Sequence, residues 1–332
     1  MSTRERILSY FLFGVIIAFK GYVIVIGQTK PVLVALNKND ATLSIIDPLT
    51  MKVTGTVPTG EGPHEVVLSA DGKTAYVANY GAQTPGSSIS VIDIVAGKET
   101  KRVDIAPLLR PHGLQMIGGK IYFTAEVNRA IARFDPETSK VDWIMGTGQN
   151  VSHMVAGSAD QKKFYTANIG SDSVTALEFQ NTPPAPSKIT QIAVGKQPEA
   201  IDLSPDGKEV WIGLNAEGLI EIIDTAAYKS VAKIDIGGRP YRVKFTPDGK
   251  SVISTMLPTK DISIVDVATR KETKRIKLES VPLGVAFSAD GKTAFVTAVE
   301  PDIVLRIDLG TGEVTGRVTT GKVPDGIAVA GM

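Results

Sequence analysis

The chain has 332 residues, 43% of them hydrophobic and 21% charged, which fits one large globular domain or two ordinary ones and excludes a disordered chain. A formal charge of +1 with scattered Lys and Arg excludes the strong basic field that draws proteins to nucleic acid or anionic lipid. Zero cysteines exclude disulfides, thiolate nucleophiles and thiolate metal sites.

The first expected element is a leader. Arg4 and Arg6 precede the apolar run ILSYFLFGVIIAF, followed by Lys20 and GYVIVIG. A basic start before a short apolar core predicts a signal peptide or an N-terminal membrane anchor over residues 1–30. If retained, the run from Ile7 to Gly27 is barely long enough to span a bilayer, and Lys20 is costly inside it. Removing residues 1–30 takes away four cations and one anion and leaves a slightly acidic remainder of −2. The expected location is the periplasm or the cell exterior, with membrane contact only through this segment.

From residue 63 to the end the chain repeats one phrase. Clear copies are PHEVVLSADGKTAYVAN, PEAIDLSPDGKEVWIGLN, PYRVKFTPDGKSVISTM and PLGVAFSADGKTAFVTA; weaker ones are PHGLQMIGGKIYFTAE and SHMVAGSADQKKFYTAN. They begin at Pro63, Pro111, Ser152, Pro198, Pro240, Pro282 and, for the final partial copy, Pro324, at spacings of 48, 41, 46, 42, 42 and 42. A period in the low forties with four short strands per unit predicts a β-propeller. An apolar run forms strand a, and Asp-Gly makes the hairpin turn at Asp71-Gly72, Asp206-Gly207, Asp248-Gly249 and Asp290-Gly291. Segments such as TAYVAN, ISIVDVA and VTGRVTTG supply strands b, c and d. Residues 32–57 contain only b, c and d, whereas 324–332 contain only an a strand. The two ends therefore complete one blade together, giving an all-β, seven-bladed propeller over 31–332 whose N- and C-terminal strands close the ring.

The phrases SADGKTAYVAN and SADGKTAFVTA resemble the YVTN repeat of bacterial and archaeal seven-bladed propellers, which are similar to the seven-bladed lactonases and the streptogramin lyases. The resemblance covers roughly residues 31–332. It implies the propeller fold, and it leaves enzyme, binder and surface protein all open.

The three histidines of the chain fall at one point of the phrase. The hairpin puts the start of strand a beside the end of strand b, and strand a is innermost, so both positions face one mouth of the central channel. The first position reads His64, His112, His153, Glu199, Tyr241, Leu283 and Asp325; the second reads Asn37, Asn79, Glu126, Asn168, Asn215, Leu257 and Val299. This predicts a polar arc of His64, His112, His153, Glu199 and Glu126 facing a more apolar arc, the pattern of a small-molecule pocket. His64, His112, His153 and Glu199 are candidate ligands for a divalent metal. An imidazole oriented by a carboxylate also suits acid–base work, and a bound metal can polarise a carbonyl or activate water.

Tyr241, Arg242, Asn79, Asn168, Asn215 and Asp325 are candidate ligand-binding residues. For Arg242 a channel-wall salt bridge is the alternative, and for the asparagines a turn-stabilising role is. The loop YGAQTPGSS (80–88) falls on the histidine face as a partial lid. The streptogramin lyases carry a catalytic His in a Pro-His start and a catalytic Glu at the end of the next strand. That resemblance implies His112 and Glu126 as a catalytic pair, with YFTAEVNRAIARFDP (122–136) similar to the lyase repeat. The further histidine of the lyases is replaced by Asn128, and the other blades follow the YVTN pattern. Two functions are carried forward. One is a metal-dependent lyase or lactonase-like hydrolase acting on a small molecule. The other is a non-catalytic periplasmic or cell-surface propeller that binds a ligand or a protein partner.

Overall fold

The computed structural model of the chain describes residues 30–181 and 187–332, together with a short antiparallel pairing of Ala18–Phe19 with Tyr22–Val23. The rest of the expected leader, and residues 182–186, lie outside the described residues. Among the described residues no helix is long and apolar enough to cross a membrane.

Seven four-stranded antiparallel sheets form the ring. Blade 1 is composite: Pro324–Ala330 pairs with Val32–Asn37, followed by Thr42–Asp47 and Lys52–Pro58. Six blades then follow in chain order, with inner strands Pro63–Leu68, Pro111–Ile117, Ser152–Gly157, Pro198–Leu203, Arg239–Phe245 and Val281–Phe287. The shared blade predicted from the missing strand is therefore present, and its pairing of Val32 with Ala330 through Asn37 with Pro324 satisfies both chain-end edges.

The turn joining strands a and b is built by its own sequence. In blade 2 the Ser69 hydroxyl donates to Asp71 Oδ1 at 2.7 Å, and the same oxygen accepts the Lys73 N–H at 3.1 Å. Gly72 closes the turn at φ +68°, a conformation that costs a side chain and favours glycine. Strands b and c are buried on both faces, so their apolar residues run almost continuously, as in IVLRID (Ile303–Asp308). The outermost strands bury only one residue in several, as in KSVAKID (Lys229–Asp235), whose Ile234 faces the neighbouring blade. The core is accordingly a set of clusters wedged between successive blades rather than one central mass.

Two details bring the inner strands close enough to form a site. A Cβ at Gly326 would lie 2.4 Å from the His64 carbonyl oxygen, and one at Gly113 would lie 2.7 Å from the Met154 Cα. Glycine thus lets neighbouring inner strands nearly touch at the level of the histidines. Threonine hydroxyls then lock strands together: Thr124 donates to the His153 carbonyl, Thr255 to the Leu283 carbonyl and Thr297 to the Asp325 carbonyl, at 2.5, 2.7 and 2.7 Å. Each crosses from strand b of one blade to the start of strand a in the next.

Because the obstructing atom at Gly326 is backbone, Gly326→Ala forces the two strands apart. The expected cost is about 2 kcal/mol, as for other overpacked sites. A clear drop in melting temperature by circular dichroism checks this; an unchanged melting temperature contradicts it.

Candidate functional site

The first residue after each repeat proline points to the axis, and the seven side chains meet as a packed layer. His64, His112, His153 and Asp325 are buried there, while Glu199 and Tyr241 are half-buried and Leu283 fills the remaining side. The three imidazoles stack in blade order: ring centroids lie 4.2 Å apart for His64 and His112, and 3.8 Å for His112 and His153. The expected convergence of the histidines is therefore present. The expected open mouth is not, because close approach of the inner strands seals the layer and leaves His112 with 0% exposure.

Two charged clusters flank the stack. On one side His153 Nδ1 lies 2.5 Å from Glu126 Oε1, and Nε2 lies 3.2 Å from Glu199 Oε1, an ion-pair distance poorly directed for a hydrogen bond. Tyr80 donates its hydroxyl to the other Glu126 oxygen at 2.6 Å. Its ring stands edge-on to His64 and His112, with centroids at 5.5 and 5.4 Å, and the Arg110 guanidinium lies 4.5 Å from its centre. Tyr80 thus caps the stack from strand b itself (Thr74–Gly81): the expected 80–88 loop is the end of a hairpin with Pro85–Asp93 on the histidine face. Sequence reading named that segment but gave this residue no role; its only signal is a bulky side chain directly after the repeat asparagine, Asn79.

On the other side His64 Nδ1 lies 3.2 Å from Asp325 Oδ2. The Tyr241 hydroxyl reaches past blade 7 to both Asp325 oxygens at 3.3 Å. Arg242 crosses the channel to Glu65 Oε1 at 2.5 Å and approaches Asp325 Oδ1 at 3.5 Å. Arg242 is thus the channel-wall salt bridge that its sequence position left as an alternative. Glu65, one residue beyond His64, was not anticipated.

These contacts bear on two sequence expectations. The hydrogen-bonded partner of Glu126 is His153 of the next blade, not His112, because Glu126 sits just past strand b (Lys120–Ala125) and turns toward that neighbour. The asparagine amides are spent inside the fold. Asn79 accepts the Gly60 N–H at 3.0 Å and donates to Ser88 and Ser90; Asn168 donates to Ser173 and Thr175; Asn215 accepts from Arg239 at 2.7 Å. These bonds account for their place in the repeat without a ligand.

The protonation states divide the layer. Burial pushes His64 down to about 4, only partly offset by Asp325, and pushes His112 well below the usual histidine range. For His153 burial acts the same way but is outweighed by Glu126 and Glu199, which raise it to about 9. Burial opposes the Glu199 charge, yet His153 holds the carboxyl below its usual value. Asp325 is likewise held low against burial by His64, Arg242 and Lys38; with His64 neutral near pH 7, Arg242 and Lys38 carry that effect. Burial raises Glu65, with Arg242 opposing. Burial and the bond to Glu126 push Tyr80 up to about 12.

At neutral pH the layer therefore holds two neutral imidazoles and one imidazolium. Both His112 nitrogens are buried with no hydrogen-bond partner among the described residues. Four carboxyl groups (Glu65, Glu126, Glu199 and Asp325) face two buried cationic groups, His153 and Arg242. Ligand atoms of His64, Glu65 and His112, and again of His112, Glu126 and His153, lie within 4.8 Å of one another. Two ligands each about 2.1 Å from one metal stand at most about 4.2 Å apart, so small side-chain adjustments bring either set within reach.

The shifts predict the pH profile of the metal-free protein. The folded state holds the His153 proton more tightly than the unfolded chain does. Its contribution is fully present below about pH 6.5 and is lost as pH rises through about 9. His64 has the opposite sign: its contribution is present above about pH 6.5 and is lost as pH falls toward 4. Melting temperature is expected to fall on both sides of about pH 6.5, and His153→Gln is expected to flatten the alkaline side. The same fall between about pH 7 and 9 in His153→Gln would rule out His153 as its source.

Comparison with known proteins bears on the fold. No curated protein matches the chain. Among solved structures it is similar to a functionally unknown protein of Desulfotomaculum acetoxidans, at 13% identity and TM-score 0.75, covering 90% of this chain and 98% of that one. It is similar to a candidate 6-phosphogluconolactonase of Bacteroides uniformis, at 13% identity and TM-score 0.73, covering 90% and 99%. It is also similar to the dihydro-heme d1 dehydrogenase NirN, solved in complex with DHE, at 18% identity and TM-score 0.65. That match covers 89% of this chain, which spans 64% of NirN. At such identities these likenesses speak for the fold alone. The sequence model of the YNCE-like beta-propeller family matches residues 16–182 and 180–330, nearly the whole ring, and the chain belongs to that family.

Proposed function

We propose that this propeller binds a divalent transition metal in its buried histidine layer, outside the cytoplasm. The single observation that carries the reading is His112, fully buried between two other imidazoles with both ring nitrogens unbonded among the described residues. An unsatisfied buried nitrogen costs about 1–3 kcal/mol, and coordination is one way to recover it. Charge supports the same reading, since four carboxyl groups outnumber the three cationic ones around the stack, His153, Arg242 and Lys38. His64 and His112, held neutral by burial, offer free lone pairs without first losing a proton. Imidazole and carboxylate donors without thiolate suit zinc, nickel or copper better than calcium or magnesium.

His112 would be the central ligand, with His64 and Glu65 on one side or His153 and Glu126 on the other. A metal there would supply Lewis-acid chemistry, as a lyase or lactone hydrolase requires. Tyr80 and Glu126 would orient His153, and Arg242 would keep Glu65 in place. The sealed packing of the layer favours binding over turnover, because a substrate reaches His112 only if Tyr80 or its loop moves aside. The non-catalytic metal-binding module is therefore the better-supported form of the reading. Export rests on Arg4, Arg6 and the apolar run after them, and cell fractionation tests it independently.

Metal analysis of protein purified without added metal, beside titration of the metal-stripped protein with Zn²⁺, is the direct experiment. One equivalent per chain is expected, with at least about a hundredfold loss of affinity in His112→Ala as a ligand is removed. Stripped protein that takes up no zinc, or takes it up equally well in His112→Ala, would end the proposal.

A further inference from the structure

The channel has a second end. Below the histidine layer, on the face of the turns joining strands a and b, lies a cavity of about 630 Å³. Its lining comes from all seven inner strands and includes none of the three histidines. The Arg242–Glu65 pair forms its floor and separates it from the metal-binding layer proposed above. Its size falls in the range of small-molecule sites, about 300–1,000 Å³.

The wall mixes polar groups with apolar side chains, among them Leu114, Met116, Met154, Phe245, Phe287 and Val329. The charged groups are few, and their commitments differ. Arg242 is bonded to Glu65 and to the Tyr241 carbonyl. Asp202 accepts the Leu203 N–H on one oxygen and the Phe245 N–H on the other, at 3.0 and 2.9 Å. Lys244 is exposed, lines the cavity and forms no salt bridge among the described residues. Glu65 and Asp202 thus balance Arg242 and Lys244 in number, and Lys244, which acts on both carboxyls only from a distance, is the lining cation without a contact ion pair among the described residues.

We infer that this chamber is a binding site for a small organic anion with an apolar body, such as an aromatic carboxylate or sulfonate, whose acid group pairs with Lys244. The apolar body lies against the methionine and phenylalanine side chains, where flexible thioethers adapt to aromatic rings. The ligand enters from the a–b turn face, away from Tyr80 and its loop. The site needs no metal.

The test uses 8-anilinonaphthalene-1-sulfonate and its uncharged parent, 1-anilinonaphthalene, as fluorescent probes of the native full-length protein. One saturable sulfonate site per chain is expected, with the parent binding about tenfold more weakly for want of the charge contact, equivalent to about 1.4 kcal/mol. Lys244→Glu is expected to weaken the sulfonate by about tenfold or more and to leave the parent unchanged. Met116→Trp, which fills the chamber, is expected to remove binding of both. If that variant fails to fold by circular dichroism, the comparison of the two probes on native protein and Lys244→Glu still decides. The inference is overturned if native protein shows no saturable sulfonate binding. It is equally overturned if the two probes bind alike or if Lys244→Glu changes neither.

Discussion

Seven inner strands meet around one axis, and their first side chains must pack against one another. That crowding governs everything else in this molecule. It is tightest where glycine replaces a side chain: Gly113 lies against the Met154 backbone and Gly326 against the His64 carbonyl. Groups that would sit at a wet rim in a wider ring are here stacked, desolvated and obliged to satisfy one another. The neutral state of His64 and His112 and the charged state of His153 follow from that single constraint. Burial is common to all three, and only His153 has carboxylates on both nitrogens.

The same crowding couples the blades. A hydrogen-bonded line runs from Tyr80 in blade 2 through Glu126 in blade 3 to His153 in blade 4, and Glu199 of blade 5 completes it electrostatically. A second group joins blades 6, 1 and 2 through Tyr241, Arg242, Asp325 and Glu65. Removing one member of such a buried network leaves its partner charged and unpaired, which costs more than the lost bond. His112 stands between the two groups and belongs to neither. A stable ring would not require a histidine there, which is why that residue bears most of the functional argument. The channel below it follows different rules: its wall mixes apolar and polar groups, its acid groups are already hydrogen-bonded, and its Lys244 has no contact ion pair among the described residues.

Much of the fold is legible in the sequence because each blade repeats a local solution. Ser-x-Asp-Gly makes a turn by short-range bonds alone, as Ser69, Asp71 and Gly72 do. A turn at fixed intervals then fixes strand count and blade count. The missing first strand and the orphan last strand follow by subtraction, and their pairing is observed. The place of the histidines is legible for the same reason, since a repeat position is a position in the ring. Their burial is not. It depends on how closely the strands approach, which is decided by glycine two residues after the repeat proline and threonine two before the end of strand b, each present in some blades and not in others.

The sequence by itself determined the seven-bladed ring, the composite blade and the set of residues aimed at the axis, because locally built turns set the repeat and position within the repeat sets the rest, the end-to-end pairing of Val32 with Ala330 included. Tertiary structure alone decided which residues pair across that axis. Arg242 meets Glu65 at a separation of 177 positions, and Tyr241 meets Asp325 at 84. Glu126 chooses the histidine of the next blade over that of its own. No periodicity encodes these choices, since each depends on distances between strands that the repeat places at the same height but not at the same spacing. Tertiary structure also closed the histidine end and left the opposite end of the channel open, so that a site expected at a mouth became a buried layer with a chamber beneath it.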